Sequence, residues 1–154
     1  MKKKAALFLI SATVASAVSA CGGTVKPPTP GAAAYKQGTY TAEDAEYDDS
    51  GYKQTISIAI GADGKITDVD WDGINKDGGP SKKELGDEYG MKKASGIGKE
   101  WYEQAAVMEQ ELIKTQDPAA IPMTPEGYAD GISGCTIHIN DFVALAEEAL
   151  KKAE

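Results

Sequence analysis

Ile56, Ile58 and Ile60 alternate with Thr55, Ser57 and Ala59, a period of two that puts three branched apolar side chains on one face of an extended chain. After Gly61-Ala62-Asp63-Gly64, a second run carries Thr67, Val69 and Trp71 at alternate positions. Two alternating runs joined by a Gly-rich turn predict a β-hairpin with one buried face. The β-formers Tyr40 and Thr41 predict a preceding strand within residues 38–47. The acidic cluster Glu43, Asp44, Glu46, Asp48 and Asp49 reads as a solvated edge.

Further along the chain the period lengthens. Trp101, Ala105, Met108 and Leu112 recur at spacings of four, three and four, the apolar stripe of an amphipathic helix over residues 98–114 that ends near Asp117-Pro118. Trp101 reads as a core residue of that stripe. Phe142, Leu145, Ala146, Ala149 and Leu150 mark a C-terminal helix, with Asn140 as its N-cap. Residues 75–91, rich in Gly, Lys, Asp and Glu, predict a long loop with one short helical turn, and residues 118–128, with three prolines, an irregular segment. Strands first and helices later predict an α+β domain: an antiparallel sheet with a β-hairpin, packed against two main helices.

The N-terminus follows other rules. Lys2, Lys3 and Lys4 precede a largely apolar stretch over residues 5–20 that closes on Val18, Ser19 and Ala20 before Cys21. This is the layout of a secretory signal, too short and too rich in Ala and Ser to hold a bilayer. Val18-Ser19-Ala20-Cys21 resembles the lipobox of bacterial lipoproteins, which implies cleavage before Cys21 and a diacylglyceryl group on its sulfur. Residues 22–34, mostly Gly, Pro, Ala, Thr and Val, cannot bury a core and read as a tether. The chain thus divides into a signal peptide (1–20), a lipidated N-terminus and tether (21–34) and a folded domain (35–154), placed on the extracytoplasmic face of the cell membrane.

Charge narrows the partners. The chain carries 16 Lys+Arg against 24 Asp+Glu, a net −8, and three of those lysines belong to the signal. A body this acidic argues against nucleic acid, whose binding depends on neutralising phosphates. It would also be repelled by anionic lipid, so anchoring falls to acyl methylenes at about 0.8 kcal/mol each. Two cysteines cannot make a disulfide framework, and the single histidine, His138, cannot build a His-rich metal site. No nucleophile and base stand together, so hydrolytic catalysis finds no support, and His138 reads as a surface or strand-end residue. Asp68-Val69-Asp70-Trp71-Asp72-Gly73 begins like a calcium loop, but its twelfth position is Gly79 and a strand precedes it. It reads as the acidic outer face of a strand.

The segment with most chemical content is Asp130-Gly131-Ile132-Ser133-Gly134-Cys135-Thr136, just before the C-terminal helix. Two glycines three apart let backbone amides approach an anion, Ser133 and Thr136 add hydroxyls, and a following helix can present its positive end to a phosphate. A tight turn at a helix entrance has the same signature. The segment resembles the flavinylation motif Asp-x-x-(Ser/Thr)-Gly-Ala-(Ser/Thr) of FMN-binding domains, found in the C subunit of the sodium-pumping NADH:quinone reductase, the G subunit of the Rnf complex and many bacterial lipoproteins. Asn75-Lys-Asp-Gly-Gly-Pro-Ser-Lys-Lys-Glu-Leu, Tyr89-Gly-Met and Gly98-Lys-Glu-Trp-Tyr-Glu-Gln-Ala are similar to segments of the lipoprotein branch.

That resemblance implies one FMN, attached by an FAD-dependent flavin transferase through a phosphoester to Thr136. Asp130 and Ser133 would orient the loop for the transferase, and Gly131 and Gly134 would let it curl around the phosphate. It implies an electron carrier more than a substrate-specific enzyme, monomeric, served by a membrane flavoprotein or quinone-linked donor. Cys135 departs from the usual Ala; it should be a free thiol that packs as a small hydrophobe. Tyr89, Met91, Trp101, Tyr102 and Tyr128 are candidates for a flavin wall among which no spacing selects. A binding or interaction lipoprotein of the envelope without covalent flavin is the alternative.

Overall fold

The structure, a computed structural model, describes residues 35–154. The signal, the lipobox with Cys21 and the tether lie outside the described residues. Three strands, β1 (Gly38–Glu43), β2 (Tyr52–Ile60) and β3 (Ile66–Asn75), form an antiparallel meander in the order β1-β2-β3. Helix α2 (Trp101–Thr115) lies against β3, and α3 (Asn140–Lys151) against β1 and β2. This is the α+β arrangement expected from the sequence, an antiparallel sheet packed against two main helices. A short helix, α1 (Lys82–Leu85), continues into a 3-10 turn (Gly86–Tyr89).

The isoleucine alternation is realised in β2, whose inward face buries Ile56, Ile58 and Ile60. Each such burial is worth about 1.5–3 kcal/mol. On β3 the inward residues are Ile66, Val69 and Trp71, while Thr67, expected to share their face, is exposed. The cause is a bulge: Ile60 pairs with Ile66 but Ala59 with Asp68, so Thr67 is the extra residue and is displaced to solvent. Trp71 closes the core, its ring centroid 5.0 Å from that of Trp101 and 5.0 Å from that of Phe142.

Both helix starts differ in detail from the sequence reading. Helix α2 begins three residues later than expected because Glu100 and Glu103 form a reciprocal capping box at its entrance. At its far end Gln116 adopts a left-handed φ of 62°, and its side-chain amide pairs with Ile66, accepting from the backbone N–H at 2.8 Å and donating to the carbonyl at 2.9 Å. Asn140 does not cap α3. It is the first helical residue, and its amide donates to Asp141 instead. Ile139 takes the N-cap position because it is fully buried and its N–H is held by the Gly127 carbonyl at 2.8 Å.

Gly73 interrupts the inward face of β3 for a steric reason. The space beside it holds the buried aliphatic stem of Lys82, and a β-carbon there would sit 2.7 Å from Lys82 Cδ. Gly73→Ala is expected to destabilise the domain by about 1–3 kcal/mol through overpacking. A thermal melt should show the loss, and it should shrink when Lys82 is also shortened to alanine. An unchanged melting temperature would remove the steric account.

Candidate functional site

At the end of the sheet away from the β2-β3 turn, the inward-facing run of β2 changes character: Gln54 occupies the position in phase with the isoleucines and is buried. Its cross-strand partner is Gly73, and that of Ile56 is Trp71. Over this end lies a cleft of about 550 Å³ lined by Gln54, Trp71, Lys82, Tyr89, Trp101 and Thr136, with Met91 and Ser95 along one wall and Tyr128 and His138 at its edge. That volume falls within the range of small-molecule sites.

Thr136 reaches this cleft through α2. Its N–H donates to Gln104 Oε1 at 2.8 Å, and its hydroxyl lies 3.1 Å from the same oxygen and 3.3 Å from the Ser95 carbonyl. Gln104 is fully buried in the first turn of α2, and its Nε2 donates to the Lys99 carbonyl at 3.3 Å. Thr136 itself is exposed. A hydroxyl held in place and open to solvent is suited to receiving a group. The helix that positions it is therefore α2, whereas the sequence had pointed to α3.

The other motif residues do not converge on the same cleft. Gly131 and Ser133 line a second groove against the outer face of α2, beside Ala106, Val107 and Gln110. Asp130 is exposed, its N–H bonded to the Pro122 carbonyl at 2.9 Å. Gly131 and Gly134 have φ of 68° and 93°, values open to glycine at little cost, and a β-carbon on Gly134 would lie 3.4 Å from Lys99 Nζ. Cys135 is buried in the core cluster, and burial pushes its thiol up from the ordinary value, so it packs as a small hydrophobe.

Of the aromatic candidates, Tyr89, Trp101 and Tyr128 line the cleft with Met91, and Tyr102 does not; its hydroxyl faces Asp87 at 3.5 Å. His138 is exposed and bridges to Tyr128, the two rings packing at an angle of 37° with centroids 4.0 Å apart. The loop of residues 91–95 is fastened by Glu100, whose carboxylate accepts from the N–H groups of Met91 at 2.7 Å and Lys92 at 3.0 Å as well as capping α2.

Sequence reasoning missed Gln54, Lys82, Glu100 and Gln104. Gln54 and Gln104 carried a signal, each being polar at a position in phase with an apolar stripe. Lys82 and Glu100 carried none, since lysine and glutamate next to a helix start usually face water.

Lys82 is the cation of the cleft. Its Nζ lies over the rings of Tyr52, Tyr89 and Trp101 at 5.2, 5.9 and 5.3 Å, and 3.9 Å from Asp48 Oδ2. Burial holds this ammonium below the usual lysine range, opposed by Asp48 and Asp141. Burial works to raise Asp48, but hydrogen bonds from Ser50 and Tyr52 and the Lys82 charge leave its carboxyl below the ordinary range.

Two buried polar atoms of the cleft lining have no protein partner: Gln54 Oε1 and the Trp71 indole Nε1. Each unpaired buried group costs about 1–3 kcal/mol, so a lining that keeps one acceptor and one donor unpaired fits a ligand with polar atoms on an otherwise apolar ring. Two indoles in the wall suit a flat aromatic body.

Fold and site together define a small α+β domain with a cleft for a flat, polar-edged ligand beside an accessible threonine. Residues 51–151 match the family described as FMN-binding domain, and the chain belongs to it. FMN is accordingly its cofactor, and the cleft's unpaired polar atoms and indoles fit that molecule's ring. Two solved structures are similar to it. A protein of Clostridium thermocellum is 42% identical, with a TM-score of 0.59 over 77% of this chain and 92% of its own. A protein of Clostridium perfringens is 34% identical, with a TM-score of 0.59 over 77% of this chain and 88% of its own. No curated protein matches the chain.

Proposed function

We propose that the protein is a lipid-anchored, extracytoplasmic electron carrier with one FMN bound covalently to Thr136. The observation that carries this reading is the exposed Thr136 hydroxyl at a cleft lined by Trp71, Trp101 and two unpartnered polar atoms. In the attachment step the Thr136 oxygen forms a bond to the FMN phosphorus of FAD, the pyrophosphate linkage breaks, AMP leaves and the hydroxyl proton passes to the transferase or solvent. Gln104 holds the Thr136 backbone so that the hydroxyl is presented. Lys99, close to Gly134, would offer a positive charge to the phosphate, and the second groove beside Ser133 would give the FAD-dependent transferase a surface to grip.

FMN supplies one- and two-electron transfer, while the protein contributes attachment, orientation and exclusion of water. Covalent attachment suits a site outside the cell, where a dissociating cofactor would be diluted and lost. Lipidation of Cys21 and a tether over residues 22–34 would let the domain reach both a membrane flavoprotein or quinone-linked donor and an external acceptor. No helix among the described residues is long and apolar enough to cross a membrane, so in this reading the acyl chains provide the attachment.

The test is peptide mapping of protein purified from a host that expresses a flavin transferase. One FMN on the Thr136 peptide and acyl groups on Cys21 are the expected modifications. Unmodified Thr136 from such a host would leave a domain that binds flavin without a covalent bond.

A further inference from the structure

Lys82, Gln54 and Trp71 stand together for a reason the attachment chemistry does not use. Gln54 faces Gly73 across the β2-β3 ladder, and the space at Gly73 is taken by the stem of Lys82. Trp71 pairs with Ile56, the next inward residue after Gln54. The three side chains are therefore neighbours at one end of the sheet, and all three line the cleft.

Their hydrogen-bonding capacity is unspent. Trp71 Nε1 is a donor without an acceptor, and Gln54 Oε1 an acceptor without a donor. Lys82 Nζ has Asp48 Oδ2 at 3.9 Å, beyond hydrogen-bond range, and feels the charge of Asp141, Asp72 and Asp44 without a direct bond to any of them, while its nearest neighbours in the cleft are the aromatic faces of Tyr52, Tyr89 and Trp101. A methionine would fill the slot at Gly73 without the cost of desolvating an ammonium, so the position of this charge calls for a partner in the cleft.

The pyrimidine end of a flavin presents a carbonyl, an N–H and a second carbonyl in a row, which is acceptor, donor, acceptor. The cleft offers the complement: the indole N–H, the Gln54 amide oxygen and the Lys82 ammonium. We propose that Gln54, Trp71 and Lys82 receive this imide edge, and that the Lys82 charge makes the bound flavin easier to reduce. This rests on the FMN site described above. Reduction adds electrons to that end of the ring and favours negative charge there, and a fixed cation in a site of low dielectric stabilises the reduced form relative to the oxidised one.

The experiment uses the full chain produced with a flavin transferase, with in-gel flavin fluorescence after denaturation and spectroelectrochemical titration as separate readouts. Lys82→Met should keep its fluorescent band yet lower the equilibrium constant for reduction at least tenfold, a downward shift of about 30 mV for a two-electron couple. Lys82→Arg, which keeps the charge, should restore most of that shift. A fluorescent Lys82→Met protein with the wild-type potential overturns the proposal and leaves flavinylation intact. A dark wild-type band overturns the covalent site first and this assignment with it.

Gln54→Leu provides a second measurement that does not depend on Lys82. Removing a buried amide oxygen that has no partner should raise the melting temperature of the flavin-free protein, and the further rise on flavinylation should be smaller than in wild type. An equal or larger rise on flavinylation would overturn the role of Gln54.

Discussion

Thr136→Ala is expected to abolish the fluorescent band of the denatured protein completely, and Thr136→Ser to retain it. Alanine has no oxygen to esterify, whereas serine loses only a methyl group. The comparison is clean because the Thr136 side chain does little for the fold. It is exposed, its hydroxyl makes at most one hydrogen bond at a time, to Gln104 or to the Ser95 carbonyl, and its backbone N–H bond to Gln104 survives in either variant. The stability cost should be about 1 kcal/mol. Gel fluorescence and intact mass read the chemistry, and a melt confirms that both variants fold. A Thr136→Ala protein that still glows after denaturation would move the attachment to another residue.

Glu100→Ala should be the most destabilising single change at the site, by about 3 kcal/mol, or roughly 10 °C in Tm. The buried carboxylate accepts from three backbone N–H groups: those of Met91, Lys92 and Glu103. Charge-assisted bonds of this kind are stronger than neutral ones, and alanine would leave the donors without partners in a place water reaches poorly. The effect should be local as well as global. Residues 91–95 form one wall of the cleft, so the amides of Met91 and Lys92 should lose hydrogen-exchange protection before the sheet does. Glu100→Gln, which keeps an acceptor oxygen, should lose less. A drop no larger than that of a surface substitution would show that the loop is held by other contacts.

Much of the architecture was legible because it depends on periodicity. The isoleucines of β2, the Trp101 stripe of α2 and the Phe142 face of α3 are patterns in which each side chain's direction follows from its position in the repeat. The bulge at Thr67 was not legible, since an inserted residue leaves no mark until the two strands are paired. The start of α3 was misplaced because Asn140 has the chemistry of a cap, but burial of Ile139 decided the position. At the site, Thr136 and its flanking glycines stood out through their resemblance to a known motif. Their division between two grooves did not, because the left-handed turns at Gly131 and Gly134 that separate them are a matter of path and not of composition.

The order of residues alone determined the number and type of long elements and the apolar face of each, and it singled out Thr136 as the threonine proposed to carry the flavin. What lies opposite that threonine was decided only when β2, β3, α1 and α2 met. Gln54, Lys82 and Gln104 are 82, 54 and 32 positions from it along the chain. An isolated glutamine or lysine has no preference for the interior. Each acquired its role from the space left by a glycine, the faces of aromatic rings or an amide in need of an acceptor, and such surroundings exist only in the assembled core.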